Sequence, residues 1–243
     1  MPGFFLFAMV VVFVSIFLFA WYNAPERVAR RALAKLPVLP IANIPEGALA
    51  RVTGRVRIFG QPRVAPLSGR PCAFYRVRVL EKRTSEKGTH WRTIVDETAG
   101  SDFLVVDDSG KALIRYERSA RFVVVKDVNL RSGTFHDPTP TMNRFLEQRG
   151  HSGKGWILNK EIRYHEGVLE PGETVTIAGR ATWEPDPEPE PGADSGYRTA
   201  PQRLVVKADL EFGMIVTDNP SLIHVGPKAA PAGESPEQRL FIR

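Results

Sequence analysis

One cysteine, five histidines, a lysine set among glycines and two adjacent aspartates are the residues of this 243-residue chain that could carry covalent, metal or phosphate chemistry. Cys72 could act as a nucleophile, but the sequence sets no base beside it, and Cys72-Ala73-Phe74-Tyr75 reads better as a small hydrophobe entering a strand. His90, His136, His151, His165 and His224 are scattered without metal-ligand spacing, and a lone cysteine excludes an intrachain disulfide and a four-cysteine zinc site. Gly150-His-Ser-Gly-Lys-Gly155 departs from the phosphate-loop spacing and follows no strand, so it reads as a glycine loop. Asp107-Asp108-Ser109-Gly110 has calcium-ligand residue types, but a hairpin turn uses the same residues. The sequence predicts no catalytic residue, no metal and no cofactor.

Charge is more informative. Between Arg51 and Arg92 there are eleven cations against two acids, Glu81 and Glu86, which predicts a cationic surface on that half of the body. Arg76 and Arg78 share one face of an alternating strand and are candidates for binding a protein partner.

These residues must be positioned by a chain that begins with an uncharged run from Gly3 to Tyr22. At about 1.5 Å per residue the run makes a helix of roughly 30 Å, the thickness of a bilayer's hydrocarbon core. Trp21 and Tyr22 end it as an interfacial aromatic pair. It lacks the basic n-region and small-residue cleavage site of a secretory signal. Residues 3–22 are therefore expected to be a retained single-pass anchor. Arg27, Arg30, Arg31 and Lys35 follow it, which places the body in the cytoplasm by the positive-inside rule. Residues 24–36 read as a basic helix, with Val28, Ala32 and Leu36 on one face and Arg27, Arg31 and Lys35 on another. It either lies on anionic headgroups or is a solvated linker.

The body reads as mainly β, a small barrel-like or sandwich domain with one or two short helices. Expected strands are Arg51–Phe59, Ala73–Leu80, Trp91–Val95, Phe122–Val125, Leu204–Val206 and Met214–Thr217, with a turn over 85–88. The clearest hairpin joins Phe103–Val106 to Ala112–Tyr116, and Thr141–Arg149 is a helix striped by Met142, Phe145 and Leu146. Gly47-Ala-Leu-Ala-Arg-Val-Thr-Gly54-Arg55 recurs as Gly172-Glu-Thr-Val-Thr-Ile-Ala-Gly179-Arg180, which predicts two strands of like geometry, each bent at its second glycine as at a barrel corner. Residues 184–198 form an acidic, proline-rich loop, and 222–243 a disordered tail closed by Leu240-Phe241-Ile242.

Ala65-Pro66-Leu67-Ser68-Gly69-Arg70-Pro71-Cys72-Ala73-Phe74-Tyr75-Arg76 resembles the GIDE family, the membrane-side domain of Mulan-type ubiquitin ligases and of bacterial membrane proteins. Phe103-Leu-Val-Val-Asp107 with Gly110, Glu166-Gly-Val-Leu-Glu-Pro171-Gly172, and Val175-Thr-Ile-Ala-Gly179 agree in order, so the resemblance covers residues 44–221. It marks Pro66, Gly69, Cys72, Tyr75, Asp107, Gly110, Glu166, Gly172 and Gly179 as motif positions. In the ligases, ubiquitin transfer belongs to a RING finger, and one cysteine cannot fill its zinc sites. The resemblance also implies a body facing the intermembrane space of mitochondria; the flanking charges are given precedence here.

Two readings follow. One is a non-enzymatic binding or scaffold module at the membrane, with anionic lipid headgroups and a protein as partners. The other is a ligase-like protein whose catalytic module is supplied in trans. A nucleic-acid-binding barrel ranks below both, because the anchor and the want of a stacking platform argue against it.

Overall fold

The computed structural model describes residues 2–85, 88–132, 139–151, 161–187 and 201–225, with side chains from Phe7 onward. In chain order the elements are α1 (Pro2–Tyr22), α2 (Pro25–Leu33), β1 (Leu49–Ile58), β2 (Arg63–Val64), β3 (Pro71–Cys72), β4 (Phe74–Ser85), β5 (Gly88–Gly100), β6 (Phe103–Asp107) and β7 (Gly110–Ile114). There follow β8 (Arg121–Val123), β9 (Val128–Ser132), α3 (Pro140–Glu147), β10 (Ile162–Leu169), β11 (Thr174–Pro185), β12 (Gln202–Lys207), β13 (Ile215–Thr217) and α4 (Pro220–Ile223). The 85–88 turn, the Gly150–Gly155 loop and the tail from residue 226 lie wholly or partly outside the described residues, as does 188–198 of the acidic loop.

Strands β1, β6, β7, β12 and β11 close into a five-strand barrel, because β11 returns to pair with β1 along Leu49–Arg55 and Thr174–Arg180. All its pairings are antiparallel except β7 with β12. This is the connectivity of a Greek-key barrel of the oligonucleotide- and oligosaccharide-binding type, which fixes architecture and leaves function open. Alternate residues fill the interior: Val52, Val56, Phe103, Val105, Ile114, Val175, Ile177, Leu204 and Val206 are buried.

The repeated segment generates the closure. Val52 faces Ile177 at a local twofold between its two copies. At Gly54-Arg55, β1 passes from β11 to β6, and at Gly179-Arg180, β11 passes from β1 to β12. Both corners require glycine: a Cβ would sit 2.5 Å from the Val106 carbonyl oxygen at Gly54 and 2.6 Å from that of Lys207 at Gly179. The leading glycines match as well, with φ of 68° at Gly47 and 87° at Gly172.

A second sheet, ordered β5-β4-β10-β9, is assembled from insertions between barrel strands. Its core is Val77, Val79, Ile162 and Tyr164 beneath Met142, Phe145 and Leu146 of α3. That helix starts one residue earlier than predicted: Thr139 caps it, accepting from Met142 N at 3.3 Å, and Pro140 suits the first turn. Tyr75 joins this sheet to the helix, its hydroxyl 2.9 Å from Glu97, which also accepts from Arg149 at 2.5 Å.

The apolar run is helical as expected and its described side chains are largely exposed, Phe17 to 69% and Phe19 to 72%. Among the described residues no single helix is long and apolar enough to cross a membrane. Phe7–Tyr22 and Pro25–Leu33, bent by 53°, reach that length and composition together.

Three expectations are corrected. The buried stripe of α2 is Ala29 and Leu33, flanked by Ala32 and Leu36, packed on Val123, Ala178, Ile215 and Leu222. The helix is thus docked on the body by its apolar stripe and is not a free linker, because a ready-made apolar surface lies beside the barrel. The tail begins later than 222, since α4 buries Leu222 and the fold continues to Val225. Glu184 and Pro185 belong to β11, where Glu184 meets Lys207 at 2.6 Å, so the acidic loop starts at Asp186.

Candidate functional site

The segment Ala65–Arg76 begins in a miniature hairpin, β2 with β3, whose loop turns at Gly69 with φ of 72°. Glu166, fully buried on β10, accepts from Leu67 N at 2.7 Å and Ser68 N at 3.0 Å and so holds the loop down. Pro66 precedes these donors, and Arg70 pairs with Glu170 at 2.6 Å. Segments about a hundred residues apart in the sequence therefore form one unit. Cys72 lies under it, fully buried; burial, then the carboxylates of Glu166 and Glu170, push its thiol up to about 11. That is the reverse of an activated nucleophile.

Of the other motif positions, Tyr75 and Gly179 lie within β4 and β11, and Asp107, Gly110 and Gly172 serve turns. Asp107 accepts from Ser109 N at 2.7 Å, Gly110 N at 2.9 Å and Ile41 N at 2.9 Å, so one carboxylate closes the β6–β7 hairpin and ties it to the linker. Burial opposes its ionisation, yet these donors and the Ser109 hydroxyl hold its carboxyl below the usual range. Its donors are protein groups, as the hairpin reading requires. Gly172 supplies the turn into β11.

The cationic half is broken up by acids on β4 and its neighbours: Asp96 on β5, Glu161 beside β10 and Glu81 on β4 itself. Asp96 on β5 takes two hydrogen bonds from Arg76, at 2.9 and 2.8 Å, and further ones from Arg78. The bonds from Arg76, with those from Arg78, hold the Asp96 carboxyl low against its partial burial. Arg76 and Arg78 are thus half-exposed and braced, where free exposure was expected. Lys82 meets Glu161 at 2.5 Å and Arg83 meets Glu81 at 2.9 Å. Arg51 is not on the surface at all.

Arg51 is the largest fully buried side chain. Its guanidinium donates to the carbonyls of Leu33 at 3.1 Å and Ile223 at 2.9 Å, and also to those of Leu222 and Val225. Desolvation lowers its pKa, and the carbonyls at the ends of α2 and α4 supply the compensating negative dipoles. One side chain of β1 thereby fastens both helices to the barrel.

This joint places the start of α2 over the face of β4 and β10 and encloses a cavity of about 420 Å³. Arg27 from α2, Arg76 and Arg78 from β4, Lys126, and His165 from β10 line it. Arg27 and the strand cations, separate in sequence, meet here. Of the cations at and after α2, Arg27 also stacks on Trp21, Arg31 stacks on Tyr22, and Arg30 donates to Ser221 at 3.2 Å; Lys35 is exposed. Lys126 and His165 carried no sequence signal, since neither sits in a motif: the pairing of β10 with β4 sets His165 opposite Arg78, and Lys126 arrives just before β9, which pairs with the other edge of β10.

On the outer face of β6, β7 and β12, where barrels of this type read single strands, Leu104, Leu113 and Val205 lie under one ring, Phe59. Aliphatic residues there offer no successive stacking surfaces. Compared with known protein families, curated proteins and solved structures, the chain matches none.

Proposed function

We propose that this chain is a GIDE-like, single-pass membrane protein whose body is a non-enzymatic binding module held against the membrane, on the cytoplasmic side. The observation that carries the reading is the join at residues 22–25. The uncharged run Gly3–Tyr22 ends beside a short helix fixed to the barrel by Arg51, and Phe7–Tyr22 with Pro25–Leu33, bent by 53°, together reach the length and composition of a span. The stacking of Arg27 on Trp21, 3.5 Å from the ring centroid, and of Arg31 on Tyr22 suits an interfacial belt. The single unit formed by the first GIDE-like segment and Glu166 supports the family reading.

Crosslinking from intact membranes followed by identification of the captured protein tests the binding role. A scaffold yields partners without a RING finger, whereas stoichiometric capture of a RING protein favours the ligase-like reading, in which catalysis is supplied in trans. Protease added to intact cells leaves the body uncut if it is cytoplasmic and digests it if it faces outward.

A further inference from the structure

We propose that the cavity between the first turn of α2 and strands β4 and β10 binds the phosphate group of an anionic phospholipid. The inference rests on the membrane reading above for the identity of the ligand, and on the cavity itself for the site.

The lining brings four cations, Arg27, Arg76, Arg78 and Lys126, against one carboxylate, Glu26. Asp96 offsets part of the Arg76 and Arg78 charge but is not part of the wall. By bracing both guanidinium groups it reduces the freedom they would lose on gripping an anion. Among the described residues no carboxylate pairs with Arg27 or Lys126. His165 reports the same field from within: desolvation first, then the charges of Lys126, Arg163, Arg78 and Arg131, make its protonation harder. Planar, forked guanidinium groups beside a lysine are the donor set that recognises phosphate oxygens.

The rest of the wall distinguishes a lipid from a soluble anion. Phe74 and Phe122 both line the cavity and stack with ring centroids 3.9 Å apart and planes 6° from parallel. A site for free phosphate has no use for an apolar floor of this kind, whereas a glycerol backbone entering an acyl region does. Position agrees, since Ala24, Pro25 and Arg27 of the wall come within five residues of Tyr22, the last residue of α1. An anchor spanning the bilayer therefore presents the mouth at headgroup depth. At about 420 Å³ the cavity is of ordinary ligand-site size.

The test uses the full chain in a neutral detergent, with water-soluble dioctanoyl phosphatidic acid, dioctanoyl phosphatidylcholine and inorganic phosphate as probes. Binding is read by thermal shift and by titration. The expected result is saturable binding of the phosphatidic acid, weakened about tenfold by Lys126→Ala and further by Lys126→Ala with Arg78→Ala, and unchanged by Arg92→Ala outside the cavity. Lys126 is exposed, so its replacement leaves the unliganded melting temperature in place. Equal affinity for inorganic phosphate overturns the lipid assignment, and binding that survives Lys126→Ala overturns the site. Because the probes are soluble, this outcome is independent of whether α1 spans a bilayer, which alkaline extraction of membranes decides separately.

Discussion

Arg51 Nη1 lies 3.1 Å from the carbonyl oxygen of Leu33, so the last turn of α2 is held by a buried arginine of the barrel's first strand. A cation at a helix C-terminus is favourable, and here it also satisfies carbonyls that the helix ends leave open. The consequence is mechanical. The body cannot swing freely on a linker, because the only residues between α1 and the docked helix are Asn23 and Ala24.

Arg51→Ala is expected to destabilise the body by about 3 kcal/mol or more, since it leaves buried carbonyls unpaired and a side-chain-sized void. Denaturant unfolding measures the loss. Hydrogen exchange over 25–36 should rise more than over β6 and β7. Equal changes everywhere would mean that Arg51 supports the barrel and does not fasten the helix.

Glu166→Ala removes the acceptor of Leu67 N and Ser68 N. Hydrogen bonds to a charged acceptor are worth about 1.5–3 kcal/mol, so the loop over 65–70 should become the first site of limited proteolysis. Glu166→Gln, which keeps one oxygen, should fall between the wild type and Glu166→Ala.

The twofold relation of β1 and β11 gives a paired expectation. Gly54→Ala and Gly179→Ala should be equally destabilising, about 1–3 kcal/mol each, because each Cβ meets a neighbouring strand's carbonyl. Gly47→Ala and Gly172→Ala meet open space and bear only the strain of positive φ, about 1–2 kcal/mol. Unequal effects of the two corner substitutions would show that the repeat is not reproduced in the energetics.

Much of this was legible beforehand. The echo of Gly47–Arg55 in Gly172–Arg180 identified two barrel strands and their corners, because a strand that changes partners needs a position without a Cβ. The β6–β7 hairpin and the stripe of α3 followed from local pattern alone. What could not be read depends on register across long separations. Counting charge between Arg51 and Arg92 put Arg51 on the surface, since no local signal says that four carbonyls from α2, α4 and the residues after α4 will surround it. The same count missed Asp96, Glu161 and Glu170, which reach the cations only through sheet pairing and through the ends of β10. β9 and β10 were missed as strands because their apolar–polar alternation is brief: Val128-Asn-Leu-Arg-Ser132 and Ile162-Arg-Tyr-His165 each hold only two apolar positions. The motif at Glu166 was recognised without the strand that carries it.

A pH effect is expected from a second cavity. Glu173 and Asp218 line a cavity with Asp127 and His224, and burial first, then neighbouring acids, pushes their carboxyls up to about 7 and about 6. A carboxyl with a raised pKa in the folded state binds its proton more tightly there, so its contribution to stability is present at low pH and is lost as pH rises from the unfolded value through the folded one. The melting temperature should therefore fall between about pH 4.5 and 7 from this source. Glu173→Gln should flatten that slope and raise the melting temperature at neutral pH. An unchanged slope would show that Glu173 titrates normally.

The most direct test of the account is alkaline carbonate extraction of membranes from cells making the full chain, with a second chain lacking residues 2–22 alongside. The account predicts that the full chain stays entirely in the membrane pellet and that the shortened one is released, while it still binds phosphatidic acid through the cavity at Lys126. Release of the full chain into the alkaline supernatant would contradict it, because a helix that spans the bilayer cannot be washed out.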